Sequence, residues 1–193
     1  AETGREMPLF SPGTNGQKLQ LWLTEDFRLK AVVNDQTFTS TKAIEPGAFC
    51  QVGVSINQQD SILMFYCDDK IIGKDNKLSA LYYGTGPLIF GRTNETNRNK
   101  SQYYEGRMME TRLWYRAMDV GLFRTYGLQR LTGYEKDLVD YYPMNEGSGD
   151  YVIDHTQGAN AKLIGASWAM PHGMSLRLEK VDKGLELTQD ALN

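Results

Sequence analysis

Hydrolysis of a glycosidic bond needs two carboxylates flanking it. The acidic pairs of this chain are poorly spaced for that work. Glu105 and Glu110 fall on opposite faces of a regular strand, and the adjacent Asp68 and Asp69 diverge in the same way. Their expected role is as solvated surface charges. The chain has no Gly-x-Ser-x-Gly turn, no Gly-rich phosphate loop and no Ser/His/Asp cluster. Its two histidines, His155 and His172, lack the Cys-x-x-Cys or His-x-x-x-His spacing that a tetrahedral zinc site requires. These residues predict a protein that is not an enzyme and uses no catalytic cofactor.

A binding face is the chemistry the residue types do offer. Leu19, Leu21 and Leu23 alternate with Gln20 and Trp22, while Phe27, Leu29 and Ala31 alternate with Arg28 and Lys30. If the aliphatic set faces a core, Gln20, Trp22, Arg28 and Lys30 share the opposite face, and the same parity groups Glu110, Arg112 and Trp114. On one sheet these would combine aromatic surfaces for sugar stacking with charged groups that bond hydroxyls. The alternative, Trp22 and Trp114 packed beneath a loop or helix, stays open. Tyr82-Tyr83 and Tyr103-Tyr104 lie in the long polar loops 73–87 and 92–105, with one tyrosine of each pair expected to face the core. The candidate ligand-binding residues are therefore Trp22, Arg28, Glu110, Arg112, Trp114, Tyr83, Tyr103 and Tyr104.

Positioning such residues takes a rigid scaffold, and the punctuation of the chain is that of a sandwich. Alternating segments at 18–23, 27–33, 36–41, 50–56, 62–67, 70–72, 88–90 and 106–114 are separated by turn signals, with Glu25-Asp26 between the first two. The predicted class is all-β: an antiparallel two-sheet β-sandwich, or jelly roll, with one short helix. That helix is 120–131, where Val120, Phe123, Leu128 and Leu131 approach helical spacing, Asp119 serves as N-cap and Gly133 as terminator. Gly121 and Gly127 each weaken it by up to ~1 kcal/mol relative to alanine, so packing must hold it. A turn at 57–62 sets Cys50, Val52, Val54 and Ile56 on one face with Leu63, Phe65 and Cys67. The two thiols then either sit in the core as free groups or bridge the strands.

Residues 141–168 read Tyr-Tyr-Pro-Met-Asn-Glu-Gly-Ser-Gly, then Asp154, then Gln-Gly-Ala-Asn-Ala-Lys-Leu-Ile-Gly-Ala-Ser-Trp. Earlier come Val-Gly-Val-Ser-Ile at 52–56, Leu-Met-Phe-Tyr-Cys-Asp-Asp-Lys-Ile-Ile-Gly at 63–73, Leu-Ile-Phe-Gly at 88–91 and a strand-to-helix run at 105–119. Together they resemble the laminin-G-like jelly rolls of the concanavalin A-like class, although Cys67 and Asp69 stand where that family has Val and Gly. The opening motif here follows the body. The resemblance thus implies either a single permuted sandwich or a window across two consecutive repeats, with 9–131 as the body of one unit and 135–193 as the opening segment of a next. Residues 139–143 and 185–187 are expected to fold back into the sandwich. It also implies a carbohydrate-binding module of a secreted or cell-surface bacterial protein, whose partners are a glycan or glycoprotein and neighbouring repeats of the same parent chain. A structural spacer or adhesion repeat without a small ligand is the alternative, and a glycoside hydrolase the third. One structural calcium is further implied, at the oxygen-rich loops Asp68-Asp69, Asp75-Asn76, Asn94-Glu95 or Asp154 with Asn160, although for Asp154 and Asn160 the favoured reading is of turn residues that bond their own backbone.

Bulk properties narrow the partners. With 193 residues, 40% of them hydrophobic, the chain can bury a full core. A net charge of -3 with no two adjacent Lys/Arg residues argues against nucleic acid. No apolar run approaches the ~18–20 residues of a membrane span, so no membrane insertion is expected.

Overall fold

The computed structural model describes residues 4–12, 19–79, 88–94, 102–127, 129–169, 178–181 and 184–187. Period-two alternation builds its first sheet from β1 (Met7–Pro12), β2 (Leu19–Leu23), β3 (Arg28–Val33), β4 (Gln36–Ala43) and β8 (Leu88–Phe90), in the order β4-β3-β2-β1-β8. A second sheet joins β5 (Val52–Asn57), β6 (Ile62–Cys67) and β7 (Lys70–Asp75) in sequence order. Every pairing is antiparallel. Between β3 and β4, Asn34 and Asp35 take φ of 48° and 68°, the left-handed pair that a two-residue hairpin turn demands.

The core lies between these sheets. Leu29, Ala31 and Val33 from β3 and Leu63 from β6 are wholly buried, joined by Leu23, Phe38 and Phe65. The sheets approach each other along β4 and β7, where the Thr41 hydroxyl donates to the Ile72 carbonyl at 2.8 Å. Gly73 is required at that contact, because a Cβ there would come within 2.8 Å of the Ser40 Cα.

The chain then adds β9 (Thr111–Trp114), α1 (Val120–Gly127), β10 (Leu138–Tyr142), β11 (Tyr151–Val152) and β12 (Ala161–Lys162), followed by β13 (Leu178–Val181) and β14 (Gly184–Leu187). Helix α1 covers the outer face of the second sheet. The Tyr66 ring stacks on Phe123 with centroids 4.8 Å apart, its hydroxyl donates to the Met118 carbonyl at 2.7 Å, and Ser55 Oγ accepts the Met118 N–H at 2.8 Å. Gly53 gives the Phe123 ring room, since any Cβ there would overlap it. Asp119 caps the helix as expected, accepting the Leu122 N–H at 2.8 Å.

This is the predicted class, an all-β sandwich with one short helix among the described residues, and the differences are local. The helix ends at Gly127 rather than 131, because the buried Arg112 guanidinium claims the carbonyls of Tyr126 and Gln129. Gly133, the expected terminator, lies in a separate turn at φ 92°. Strand β7 runs on to Asp75, and β9 begins only at Thr111 because Glu110 turns left-handed at φ 56°. Residues 138–142 pair with β9 in a two-stranded ladder separate from both sheets. Residues 185–187 instead belong to β14, whose ladder partner is β13, so they form their own hairpin. Cys50 and Cys67 are free, half-buried thiols. Burial, then the neighbouring Cys50 and Asp68, pushes Cys67 up to about 12.

Leu63→Ala is expected to cost about 2–5 kcal/mol, seen as a lower urea midpoint with unchanged slope. Tyr66→Phe should cost about 1–2 kcal/mol by leaving the Met118 carbonyl unpaired. A Tyr66→Phe protein as stable as the parent would show that ring packing alone holds the helix.

Candidate functional site

The expected binding face is not formed. Trp22 and Arg28 belong to the five-stranded sheet whereas Arg112 and Trp114 belong to the β9–β10 ladder, so no single sheet presents them together. Trp22 is only 8% exposed. Pro8, itself fully buried, sits opposite it on β1, the Lys30 ammonium lies 5.0 Å over its ring, and its Nε1 donates to Gln20 at 3.0 Å. No open ring face is left for a sugar. Arg28 pairs with Asp26 at 2.8 Å.

Arg112 is an internal group and Glu110 a half-buried one. The Arg112 side chain is 8% exposed, bonds the Glu110 carboxylate at 2.6 Å and lies 5.4 Å over the Tyr141 ring. Glu110, its side chain 29% exposed, also accepts the Tyr141 hydroxyl at 2.8 Å, so it is a half-buried, partnered acceptor rather than a fully solvated charge. Burial, and next the Glu110 carboxylate, pushes the Tyr141 pKa up. Trp114 lies under the helix, its ring 4.6 Å from that of Tyr126. Tyr104 packs against the core while Tyr103 remains exposed, the split expected of that pair. Tyr82 and Tyr83 lie outside the described residues.

The structure assembles a different constellation at one end of β9 and β10. Tyr115 and Tyr134 are each 78% exposed. The loop of Tyr115 is tied down by its N–H, which donates to the Asp137 carbonyl at 2.8 Å, and by Arg116, 3.6 Å from the Asp137 carboxylate. The loop of Tyr134 is closed by Glu135, which accepts from the Thr132 N–H at 2.7 Å, the Thr132 hydroxyl at 2.9 Å and the Gly133 N–H at 3.0 Å. Partial burial raises the Glu135 carboxyl, but these bonds leave it below the usual range. A third loop completes the group. Gly133 rests on it so closely that a Cβ would overlap the His155 carbonyl, and the Gln157 amide donates to the Tyr134 hydroxyl at 3.0 Å. Sequence reasoning missed both tyrosines. Their only signal is an aromatic next to a turn, in Trp-Tyr-Arg and Thr-Gly-Tyr-Glu.

Asp154 anchors the third loop. Only 5% exposed, it accepts the N–H groups of Tyr141 at 3.0 Å and Thr156 at 2.9 Å, and the Thr156 hydroxyl lies 2.9 Å from both its oxygens. Asn160 in turn accepts the Asp154 N–H at 3.1 Å. Burial alone would raise the Asp154 carboxyl, yet the bonds from Thr156 and Tyr141 bring it below its ordinary value. Asp140 is pushed up by burial and then by the Asp154 charge. Asp154 thus accepts from its own turn and from β10, and of the other oxygen-rich loops Glu95 lies outside the described residues. The carboxylates of Asp68 and Asp75 likewise accept turn N–H groups, from Gln51 at 2.9 Å and Lys77 at 2.7 Å. Among the described residues no three His, Cys, Asp or Glu side chains are grouped to hold a metal. None of their helices is long and apolar enough to cross a membrane.

The fold has a solved counterpart. A Bacteroides ovatus protein described as a "putative carbohydrate binding protein" matches 87% of this chain with a TM-score of 0.66 at 17% identity. The chain spans 52% of that protein's length, and at this identity the likeness speaks for the fold alone. An S-layer domain-containing protein from Clostridium thermocellum matches 65% of this chain and 64% of its own at 20% identity, with a TM-score of 0.31 that carries no argument. No family model and no curated protein matches the chain.

The linkage signs separate the two aspartates. Asp154 is depressed in the fold, so its contribution is full above the unfolded carboxylate value of ~3.9 and is lost as pH falls through the folded one. Asp140 is raised, so its contribution is present below the unfolded value and lost as pH rises through the folded one. Asp154→Asn is expected to cost about 1–3 kcal/mol at pH 7 and distinctly less at pH 3 in urea titrations. An equal cost at both would show that the carboxylate charge does not hold the turn. Trp22→Ala is expected to lower stability by about 3–5 kcal/mol, the signature of a packed ring, in the same titration.

Proposed function

We propose that the chain is a non-catalytic carbohydrate-recognition module of laminin-G-like type, carried by a secreted or cell-surface bacterial protein. The observation that carries this reading is the pair of exposed tyrosines, Tyr115 and Tyr134, the first tied to Asp137, the second bonded by Gln157 on a loop that Glu135 closes. Exposed rings on preordered loops stack on the C–H faces of sugars at small entropic cost, and the adjoining Gln157 amide, Arg116 and Asp137 supply donors and acceptors for hydroxyls. The description of the Bacteroides ovatus protein adds weak support of the same kind. We read 9–131 as the body of one unit and 135–193 as the opening of another. Support for their working as one sandwich is the ladder between β9 and β10, which draws one strand from each part.

A second reading, a spacer or adhesion repeat, draws on the β11–β12 hairpin. There Tyr151, Ile153 and Ile164 are exposed, an apolar group suited to a neighbouring protein.

A glycan array followed by affinity electrophoresis separates the two. Tyr115→Ala and Tyr134→Ala are each expected to weaken glycan binding by about 1–2 kcal/mol, roughly tenfold, with unchanged thermal melting. Absence of binding to every glycan, together with self-association that Ile164→Asp abolishes, would favour the spacer.

A further inference from the structure

Beside Tyr115 the surface dips into a cleft of about 210 Å³ between the β5–β6 hairpin and the start of α1. Its floor is apolar. Strand alternation sends Leu63 and Phe65 into the core, so Ile62 and Met64 turn outward, and Met118 and Leu122 close over them from the helix side. Polar groups occur at the mouth. Arg116 reaches Asp137 at 3.6 Å, beyond hydrogen-bond length, so its donors are not saturated by that partner. Asp119, exposed at the mouth, spends Oδ1 on the Leu122 N–H, and its carboxylate carries a second acceptor oxygen, Oδ2.

Three features narrow the occupant. The volume is below the ~300 Å³ at which drug-sized pockets begin, which suits one ring substituent or one sugar residue. Arg116 and Asp119 are of opposite charge, so the mouth does not select a charged ligand. A cation and a carboxylate three residues apart supply one donor set and one acceptor, and the hollow behind them is built of Met and Leu, side chains that adapt to small apolar groups. An acetamido group has these complements: a carbonyl that accepts, an N–H that donates and a methyl that seeks an apolar hollow.

We infer that this cleft binds the N-acetyl group of a neutral N-acetylated sugar, with Arg116 donating to the acetamido oxygen, Asp119 accepting its N–H and the methyl resting on Met64, Met118 and Leu122. The inference rests on the carbohydrate reading above and specifies its substrate class. Tyr115, which precedes Arg116 directly, then lies where the adjoining sugar of the same chain would stack.

Triacetylchitotriose and cellotriose share a β-linked glucose backbone and differ in the acetamido groups, so their ratio of affinities isolates the cleft. Isothermal titration is expected to show triacetylchitotriose binding at least ~tenfold tighter, the sum of one buried methyl and two modest hydrogen bonds. Arg116→Gln and the cleft-filling Ala117→Trp should each erase that preference, whereas Tyr134→Ala should weaken the binding of both sugars. If Ala117→Trp fails to fold, Arg116→Gln decides. Equal affinity for the two trisaccharides, or a preference that survives Arg116→Gln, overturns the inference. Binding of other glycans but neither trisaccharide overturns it while leaving the tyrosine site standing, and binding of no glycan ends both.

Discussion

Strand β6 is buried on both faces, and the rest of the molecule is arranged around that constraint. Leu63 and Phe65 point into the core between the sheets, and Tyr66 points the other way into Phe123 of the helix. A strand that is half-buried needs one partner layer, whereas this one needs two. The second layer is α1, a helix of eight residues with two glycines that has little stability of its own. Its place is set by the Tyr66 hydroxyl and Ser55, which bond the Met118 carbonyl and N–H, and by Gly53, which lets the ring approach the sheet.

From that placement the geometry of the exposed end follows. The C-terminal turn of the helix covers Trp114 and receives Arg112, so the β9–β10 ladder is fixed to the helix. Residues beyond β9 must then leave the sheet, and Tyr115 projects from that exit. Glu135 and Asp154 each close a loop by accepting several N–H groups, a use of a carboxylate that replaces missing backbone partners in tight turns. Loops held this way keep exposed rings in place at low entropic cost.

For Trp22, Arg28, Glu110, Arg112 and Trp114 the expectation rests on strand parity, and parity is right about direction. Trp22 does lie opposite the core-facing leucines, and Arg112 and Glu110 do share a side. Parity says nothing about what covers the outward face. For Trp22 the neighbours on β1 and β3 close around the ring, and for Trp114 and Arg112 the helix does. The tyrosines that remain in solvent sit just past a strand end and inside a turn, where no periodic pattern marks them.

Local chemistry was legible from the chain itself, because it depends on near neighbours. The all-β class, the hairpin of β5 and β6, the cap at Asp119 and the turn role of Asp154 with Asn160 each follow from alternation or from a side chain bonding backbone a few residues away. Tertiary structure alone decided which outward-facing residues stay in solvent, where the helix stops and which sheet each strand joins. Those outcomes turn on contacts between residues far apart in the sequence, such as Arg112 with the carbonyl of Tyr126, Gly53 with Phe123 and Gly133 with His155, and no local pattern encodes them.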